Sequence, residues 1–255
     1  MRVIYQAVCA NHPLPTEPAY PLWQGLPPGS ALTHAELARR VGACTGVGAK
    51  PADRSAAQRR ALATILNTVR IPERSLLGHL NWGTWHFQDI VFKRLAGANP
   101  FGNTGAAYTG SDDDAILNVK VARYRADPAA VARFAQDSDP TGRIALPVLS
   151  THAIDDPVAF VELDSAFADT MAKAGHAANL VQTFTDEHEH SYLSDAEYPA
   201  LMEALLAWVG GGEKPTPQRV AERCAALLPR FGGACHFVPG YRPAPLSTRV
   251  TPRSP

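Results

Sequence analysis

Two short polar segments of this sequence carry the side chains needed for acid–base chemistry. The first, THAIDDPV at residues 151–158, holds one histidine and two aspartates, and the second, DEHEHS at residues 186–191, holds two histidines. A carboxylate beside an imidazole holds the ring in the tautomer that a general base needs and stabilises its charged form. The two segments together therefore predict a carboxylate–imidazole pair that could activate a nucleophile.

Each of these segments follows a predicted β-strand. Apolar runs at residues 143–150 and 180–184 have the length of parallel strands that are covered on both faces. Between them, apolar residues recur at helical spacing at Phe160, Leu163, Phe167, Met171 and Ala174. This order predicts a right-handed βαβ unit, whose parallel strands end at the same edge of a sheet. We therefore expect the aspartates and the histidines to meet above that edge.

The rest of the chain is predicted to be mostly helical. Residues 30–96 show helical periodicity, with a capping pair at Thr33 and Glu36 and no strand signal. Helices are also expected at about 112–124 and at 128–136. A second capping pair, Ser194 and Glu197, predicts the start of another helix, and a further helix is expected from Thr216 to about Leu228. The helices before residue 142 form one continuous block in this interpretation.

The first polar segment resembles a motif of a known enzyme superfamily. LSTHAIDDPV at residues 149–158 is similar to the H-G-x-x-D-P-x-V turn of α/β-hydrolases, which follows the penultimate strand of their sheet. On this resemblance Asp156 matches the catalytic acid of the family, and His190 matches its catalytic histidine. Ala153 and Asp155 depart from the small residues common in the motif, so Asp155 remains a competing candidate for the acid.

The resemblance implies a fold class and a division of the chain. The fold is expected to be α/β, a partial α/β-hydrolase sheet with a large helical cap or lid region. Residues 1–141 would be the helical cap, similar to that of secreted bacterial esterases, tannases and polyester depolymerases. Residues 142–211 would be the C-terminal βαβα part of the hydrolase core, and residues 212–255 a disulfide-pinned extension.

The function that the resemblance implies is carboxylic ester hydrolysis through an acyl-enzyme, acting on a small ester without a cofactor. The serine of such enzymes lies on a G-x-S-x-G elbow between a strand and a helix, and this sequence has no such motif. GACTG at residues 42–46 has the related G-x-C-x-G form, but Cys44 follows a predicted helix, and a disulfide with Cys9 is the preferred interpretation. We therefore expect the chain to correspond to the C-terminal part of a longer hydrolase pattern, with its nucleophile unidentified.

Three alternatives remain open from the residues. His188 and His190 could bind one zinc ion together with Asp156, because alternate residues of a strand face the same side. The acidic turn after the second strand could also be purely structural. Finally, the chain could be a non-catalytic or half-enzyme module that needs a partner chain for the nucleophile and for further strands, since two strands leave open edges. Self-association or binding of a complementing chain is expected in either functional interpretation.

Composition narrows the possible partners and the location. The 24 basic and 24 acidic residues balance, which argues against a dedicated nucleic-acid or membrane-surface binder. No apolar run is long enough for a membrane span, and no secretory signal is visible at the N-terminus. Cys224 and Cys235 close a short loop that suits a disulfide, although four buried free thiols are the alternative. Cysteine usage and the resemblance together favour a secreted or periplasmic protein.

Overall fold

The computed structural model of the chain describes residues 1–11 and 14–252. The chain forms two compact units, Met1–Asp139 and a second that begins at Pro140. Within the described residues, no helix has the length and apolar character that crossing a membrane requires.

The first unit is built from helices. They are α1 (Arg2–Cys9), α2 (His34–Thr45), α3 (Ala56–Val69), α4 (Leu76–Asn81), α5 (Phe87–Asp89), α6 (Asp114–Lys120) and α7 (Pro128–Ser138). Two wider π-helical turns, Trp82–His86 and Ile90–Arg94, extend the helical path through α4 and α5. Fully buried side chains on α2, α3 and α4 form much of its apolar core, among them Leu37, Val41, Ile65 and Leu80.

Side-chain caps explain where several of these helices begin. The Thr33 hydroxyl accepts a hydrogen bond from the Glu36 N–H, as expected, but the Glu36 carboxylate pairs with Arg39 and Arg40 instead of completing a capping box. Ser55 and Gln58 form a full capping box before α3. Each cap satisfies backbone donors that the first helical turn leaves without a partner.

The described part of the second unit contains a parallel pair of strands and three α-helices. Its elements are β1 (Val148–Ala153), α8 (Glu162–Lys173), β2 (Leu180–Thr185), α9 (Glu197–Val209) and α10 (Pro217–Phe231). Val148 is opposite Leu180 and Ala153 is opposite Thr185 in the ladder. Helices α8 and α10 pack against β2, and α9 packs against β1. The predicted strand–helix–strand order is therefore present, with β1 starting five residues later than expected, directly after Pro147, which cannot donate a backbone hydrogen bond.

The prediction of an α/β fold with a partial α/β-hydrolase sheet is wrong. About 50% of the chain is helical and about 5% lies in strands, and the sheet in the described residues has two strands. A short segment near the C-terminus, residues 236–238, which we call the tail, hydrogen bonds to the other edge of β2. Val238 N–H donates to Phe184 C=O, and Asp186 N–H donates to His236 C=O. Helices and this tail cover much of the ladder, which in the predicted fold would be flanked by further strands. The sequence shows the βαβ connection but carries no information on how many strands join it.

The four cysteines form two disulfides, Cys9–Cys44 in the first unit and Cys224–Cys235 in the second, and no free cysteine remains. The expectation of disulfides is confirmed, and the alternative of four free thiols is wrong. Cys44 is therefore not a free thiolate that could act as a nucleophile. Two disulfides are compatible with an extracellular or periplasmic location.

Removing either disulfide should lower the free energy of unfolding, because each one restricts the unfolded chain. The Cys9–Cys44 bond spans 35 residues and the Cys224–Cys235 bond spans 11. From loop entropy we expect costs of about 4 and about 3 kcal/mol for the paired Cys→Ala variants. Urea unfolding followed by circular dichroism measures both, and unchanged stability in either variant would contradict the assignment of that bond.

Candidate functional site

Asp156 lies in the turn directly after β1, and its carboxylate is almost fully occupied by donors. Oδ1 accepts hydrogen bonds from the backbone N–H groups of Val158 (2.7 Å) and Ala159 (3.0 Å). Oδ2 lies 2.7 Å from His190 Nδ1 and 3.3 Å from His152 Nε2. The Asp156 side chain is only 4% exposed. The orientation of the carboxylate is therefore fixed by backbone N–H groups of the turn, which contact Oδ1, and by two imidazole rings, which contact Oδ2.

These donors keep the Asp156 carboxyl ionised although it is buried. Burial on its own raises the pKa of a carboxyl group, because it removes water from the charged form. The hydrogen bond from His190 and the two backbone N–H groups outweigh that effect, and the pKa of Asp156 lies below its ordinary value. A negative charge is thus held next to the His190 ring.

His190 lies in the turn that follows β2, and its ring reaches Asp156 across the ends of the two strands. The sequence expectation that these side chains meet agrees with this geometry. Because Nδ1 faces the carboxylate, Nε2 is the nitrogen left to act on a substrate, and no group among the described residues hydrogen bonds to it. The side chain is 47% exposed, so about half of its surface is open to solvent. The next residue, Ser191, has φ of 58°, an unfavourable value for a residue with a side chain, and such strain is concentrated at functional sites.

A second imidazole, His152 on β1, lies behind Asp156. Its Nδ1 bonds to Asp164 on α8, and its Nε2 lies 3.2 Å from the carbonyl oxygen of Ala159. Gln182 on β2 donates to both the carbonyl and the carboxylate of Asp164. His152 and Gln182 project from the same face of the ladder, because their ladder partners are Phe184 and Ser150. Helix α8 thereby links both strands to the site.

Sequence reasoning did not find the role of Asp164, although a signal was present. Asp164 lies at helical spacing from Phe160, Phe167 and Met171, so it interrupts the apolar stripe of α8 with a charge. Leu163, which we assigned to that stripe, is 45% exposed. A carboxylate on the packed face of a helix requires a buried partner, and here that partner is His152.

An open cleft of about 340 Å³ lies at these residues. The residues that line it include Thr151, His152, Asp156, His190, Ser191, Tyr192 and Leu193. Its volume is at the small end of the range for small-molecule sites. The cleft thus places a His–Asp pair beside a space that a small ligand could occupy.

The competing candidates form a separate pair on the surface. His188 Nδ1 lies 3.1 Å from Asp155 Oδ2, with both side chains more than half exposed. The zinc alternative is not supported by this arrangement, since His188 contacts Asp155 and His190 contacts Asp156. Among the described residues, no group of three or more histidine, cysteine or acidic side chains is placed to hold a metal ion.

Comparison of the chain with known protein families, with curated proteins and with solved structures found no match.

The contribution of His152 to stability should depend on pH. The hydrogen bond to Asp164, which outweighs burial, raises the pKa of His152 above its ordinary value of 6.5. A raised pKa means that the stabilisation is fully present below pH 6.5 and is lost as the pH rises through the pKa of the folded state. His152→Gln should therefore lower the free energy of unfolding by about 2 kcal/mol in mildly acidic buffer and by less in alkaline buffer.

Urea unfolding of the wild type and the variant across this pH range measures the difference. The control is His188→Gln, which alters an exposed pair of the same type and should change stability little at any pH. A cost of His152→Gln that stays constant or grows with pH would contradict the assignment of a charged His152.

Proposed function

We propose that the chain hydrolyses small carboxylic esters and that Asp156 and His190 are the acid–base pair of the reaction. The observation that supports this is the 2.7 Å contact between a buried, ionised carboxylate and an imidazole ring that is 47% exposed at a cleft. The similarity of residues 149–158 to the acid turn of α/β-hydrolases supports the same assignment. The relationship is proposed for these site segments and does not extend to the fold.

In the proposed reaction His190 transfers one proton in each half of the cycle. Nε2 removes the proton from a hydroxyl nucleophile as its oxygen attacks the ester carbonyl, and Asp156 stabilises the imidazolium that results. Collapse of the tetrahedral intermediate breaks the bond to the alcohol, which takes the proton from Nε2. Water then attacks the acyl-enzyme by the same route, releasing the acid and restoring the nucleophile.

The hydroxyl nucleophile is a separate part of the proposal. Ser191 and Tyr192 are exposed cleft-lining residues with hydroxyl groups, whereas the Thr151 hydroxyl is buried; a partner chain is the other source. A fluorophosphonate probe followed by peptide mass spectrometry should label one hydroxyl residue, and labelling should disappear in His190→Ala. Ester turnover without any labelled residue would instead indicate direct attack by water that His190 activates.

We propose a secreted or periplasmic location because the chain has two disulfides, and such bonds persist in oxidising compartments. Fractionation of cells that express the natural gene, with a free-thiol assay on the recovered chain, measures this. Recovery from the cytoplasm with reduced cysteines would contradict it.

Substitutions of the pair should abolish most of the activity. His190→Ala and Asp156→Asn should each lower kcat/KM for p-nitrophenyl acetate by at least about 100-fold, the lower range for loss of a general base. The neighbouring pair supplies matched controls, because His188→Ala and Asp155→Asn are the same two substitutions made at exposed positions. The controls should stay within about twofold of the wild type, in line with the weak contribution of exposed ion pairs.

Two results would contradict this proposal. One is a purified wild-type chain with no turnover of acetate or butyrate esters. The other is an equal loss of activity in the control pair, which would make Asp155 and His188 the functional residues.

A second candidate function is a module that is completed by another chain, and the open edge of β1 favours it. Ile154 N–H donates to Thr185 C=O, and backbone groups alternate in direction along a strand. The backbone N–H and C=O groups of Leu149 and Thr151 therefore point away from β2. Within residues 1–11 and 14–252 these groups have no backbone hydrogen-bond partner. An unpaired strand edge can accept a strand from another molecule, here a second copy of the chain.

Thr151→Pro tests this edge, because it removes an outward N–H group and leaves the bonds between β1 and β2 intact. If a second copy pairs there, light scattering should show concentration-dependent association of the wild type and of Thr151→Val, but not of Thr151→Pro. Equal association of all three proteins would place any contact elsewhere on the surface.

A further inference from the structure

The carboxylate of Asp156 lies between two imidazole rings that differ in exposure and in partners. His190 approaches Oδ2 from the turn after β2 and is 47% exposed, whereas His152 approaches the same oxygen from β1 and is 16% exposed. The proposed reaction uses His190 alone. The second ring requires an explanation, because a partly buried imidazole that contacts the acid of the pair can alter its charge and its orientation.

The surroundings of His152 determine its protonation. Nδ1 faces the carboxylate of Asp164, and Nε2 faces the carbonyl oxygen of Ala159 and Oδ2 of Asp156. All three neighbours are hydrogen-bond acceptors, and only the imidazolium form has an N–H on both nitrogens. A neutral ring would direct a lone pair at a carboxylate whichever nitrogen kept the proton.

We propose that His152 is a positioning residue, a partly buried imidazolium that holds Asp156 ionised and turned toward His190. This inference rests on the proposed function where it concerns catalysis, but its geometric part concerns Asp156 alone. The two backbone donors hold Oδ1, and His152 contacts Oδ2 at 3.3 Å. When His152 loses its Nε2 proton, Oδ2 loses its positively charged neighbour and faces a lone pair, so the contact with His190 weakens.

The charged groups around His152 agree with this role. Asp164 faces it from α8, Asp156 from the turn after β1, and Gln182 of β2 is neutral and binds Asp164. Its ladder partner Phe184 packs against the ring of Tyr241, which lies just after the tail. The hydrogen bond to Asp164 raises the pKa of His152, and burial opposes it less strongly. The ring therefore keeps its proton to a higher pH than an ordinary imidazole does, and the hold on Asp156 is lost as the pH rises through that pKa.

The first test is spectroscopic and needs no substrate. In protein labelled with ¹⁵N-histidine, the His190 Nδ1–H proton should give a sharp low-field signal at mildly acidic and neutral pH. That signal should broaden at the same pH at which the His152 Nε2–H signal is lost. Asp164→Asn should move both changes to lower pH, and His152→Gln should remove the broadening of the His190 signal. A His190 signal that is indifferent to the titration of His152 overturns the proposal.

The second test is kinetic and separates this inference from the proposed function. His152→Gln should lower kcat for p-nitrophenyl acetate by at least about tenfold, the lower range for loss of an outer partner at a catalytic centre. KM should stay within about twofold, because His152 acts through Asp156, and the alkaline fall in kcat should disappear. His188→Gln is the control and should leave kcat and its pH profile unchanged.

The outcomes are distinguishable. Wild-type kcat and pH profile in His152→Gln overturn the role of His152 and leave the ester hydrolase proposal intact. Coupled NMR signals in a chain without esterase activity support the positioning role and contradict the hydrolase. Because the wild-type titration needs no substitution, a variant that fails to fold does not remove the test.

Discussion

The carboxylate of Asp156 depends on three hydrogen-bond donors and one ion-pair partner from three parts of the second unit. The donors are two backbone N–H groups of its own turn and the ring of His190 after β2, and the ion-pair partner is the ring of His152 on β1. A buried charge is costly unless it is paired and hydrogen bonded. The turn, the strand ends and the loop must therefore keep their relative positions for the charge to persist. The pair that we propose to be catalytic is a consequence of this requirement.

The βαβ unit supplies that rigidity. The ladder brings the ends of β1 and β2 to one edge, and α8 is tied to both strands through Asp164, which binds His152 and Gln182. The tail adds a further restraint, since it bonds to the outer edge of β2 and directly follows Cys235, which is joined to α10. A polar network inside the packed layer thus connects the helix, both strands and the site.

Two aspartates and two histidines at neighbouring positions have different environments. Asp155 and His188 form an exposed pair, while Asp156 is buried and contacts two rings. Exposed pairs are screened by water and contribute little, whereas a shielded carboxylate keeps its effect on the adjacent imidazole. Burial, and not the presence of a His–Asp contact, is what distinguishes the candidate site from its neighbour.

Sequence alone predicted the order of strand, helix and strand, the cap at Thr33, and the meeting of Asp156 with His190, because these depend on spacing and on the shared edge at which parallel strands end. Only the tertiary structure decided that the sheet stops at two strands, because apolar runs indicate a covered strand without saying whether helices or strands cover it. Only the tertiary structure, too, brought Asp164 to His152, since that contact needs α8 to pack on one particular face of the ladder. Spacing determines which groups are close along the chain, and packing determines which of them lose water.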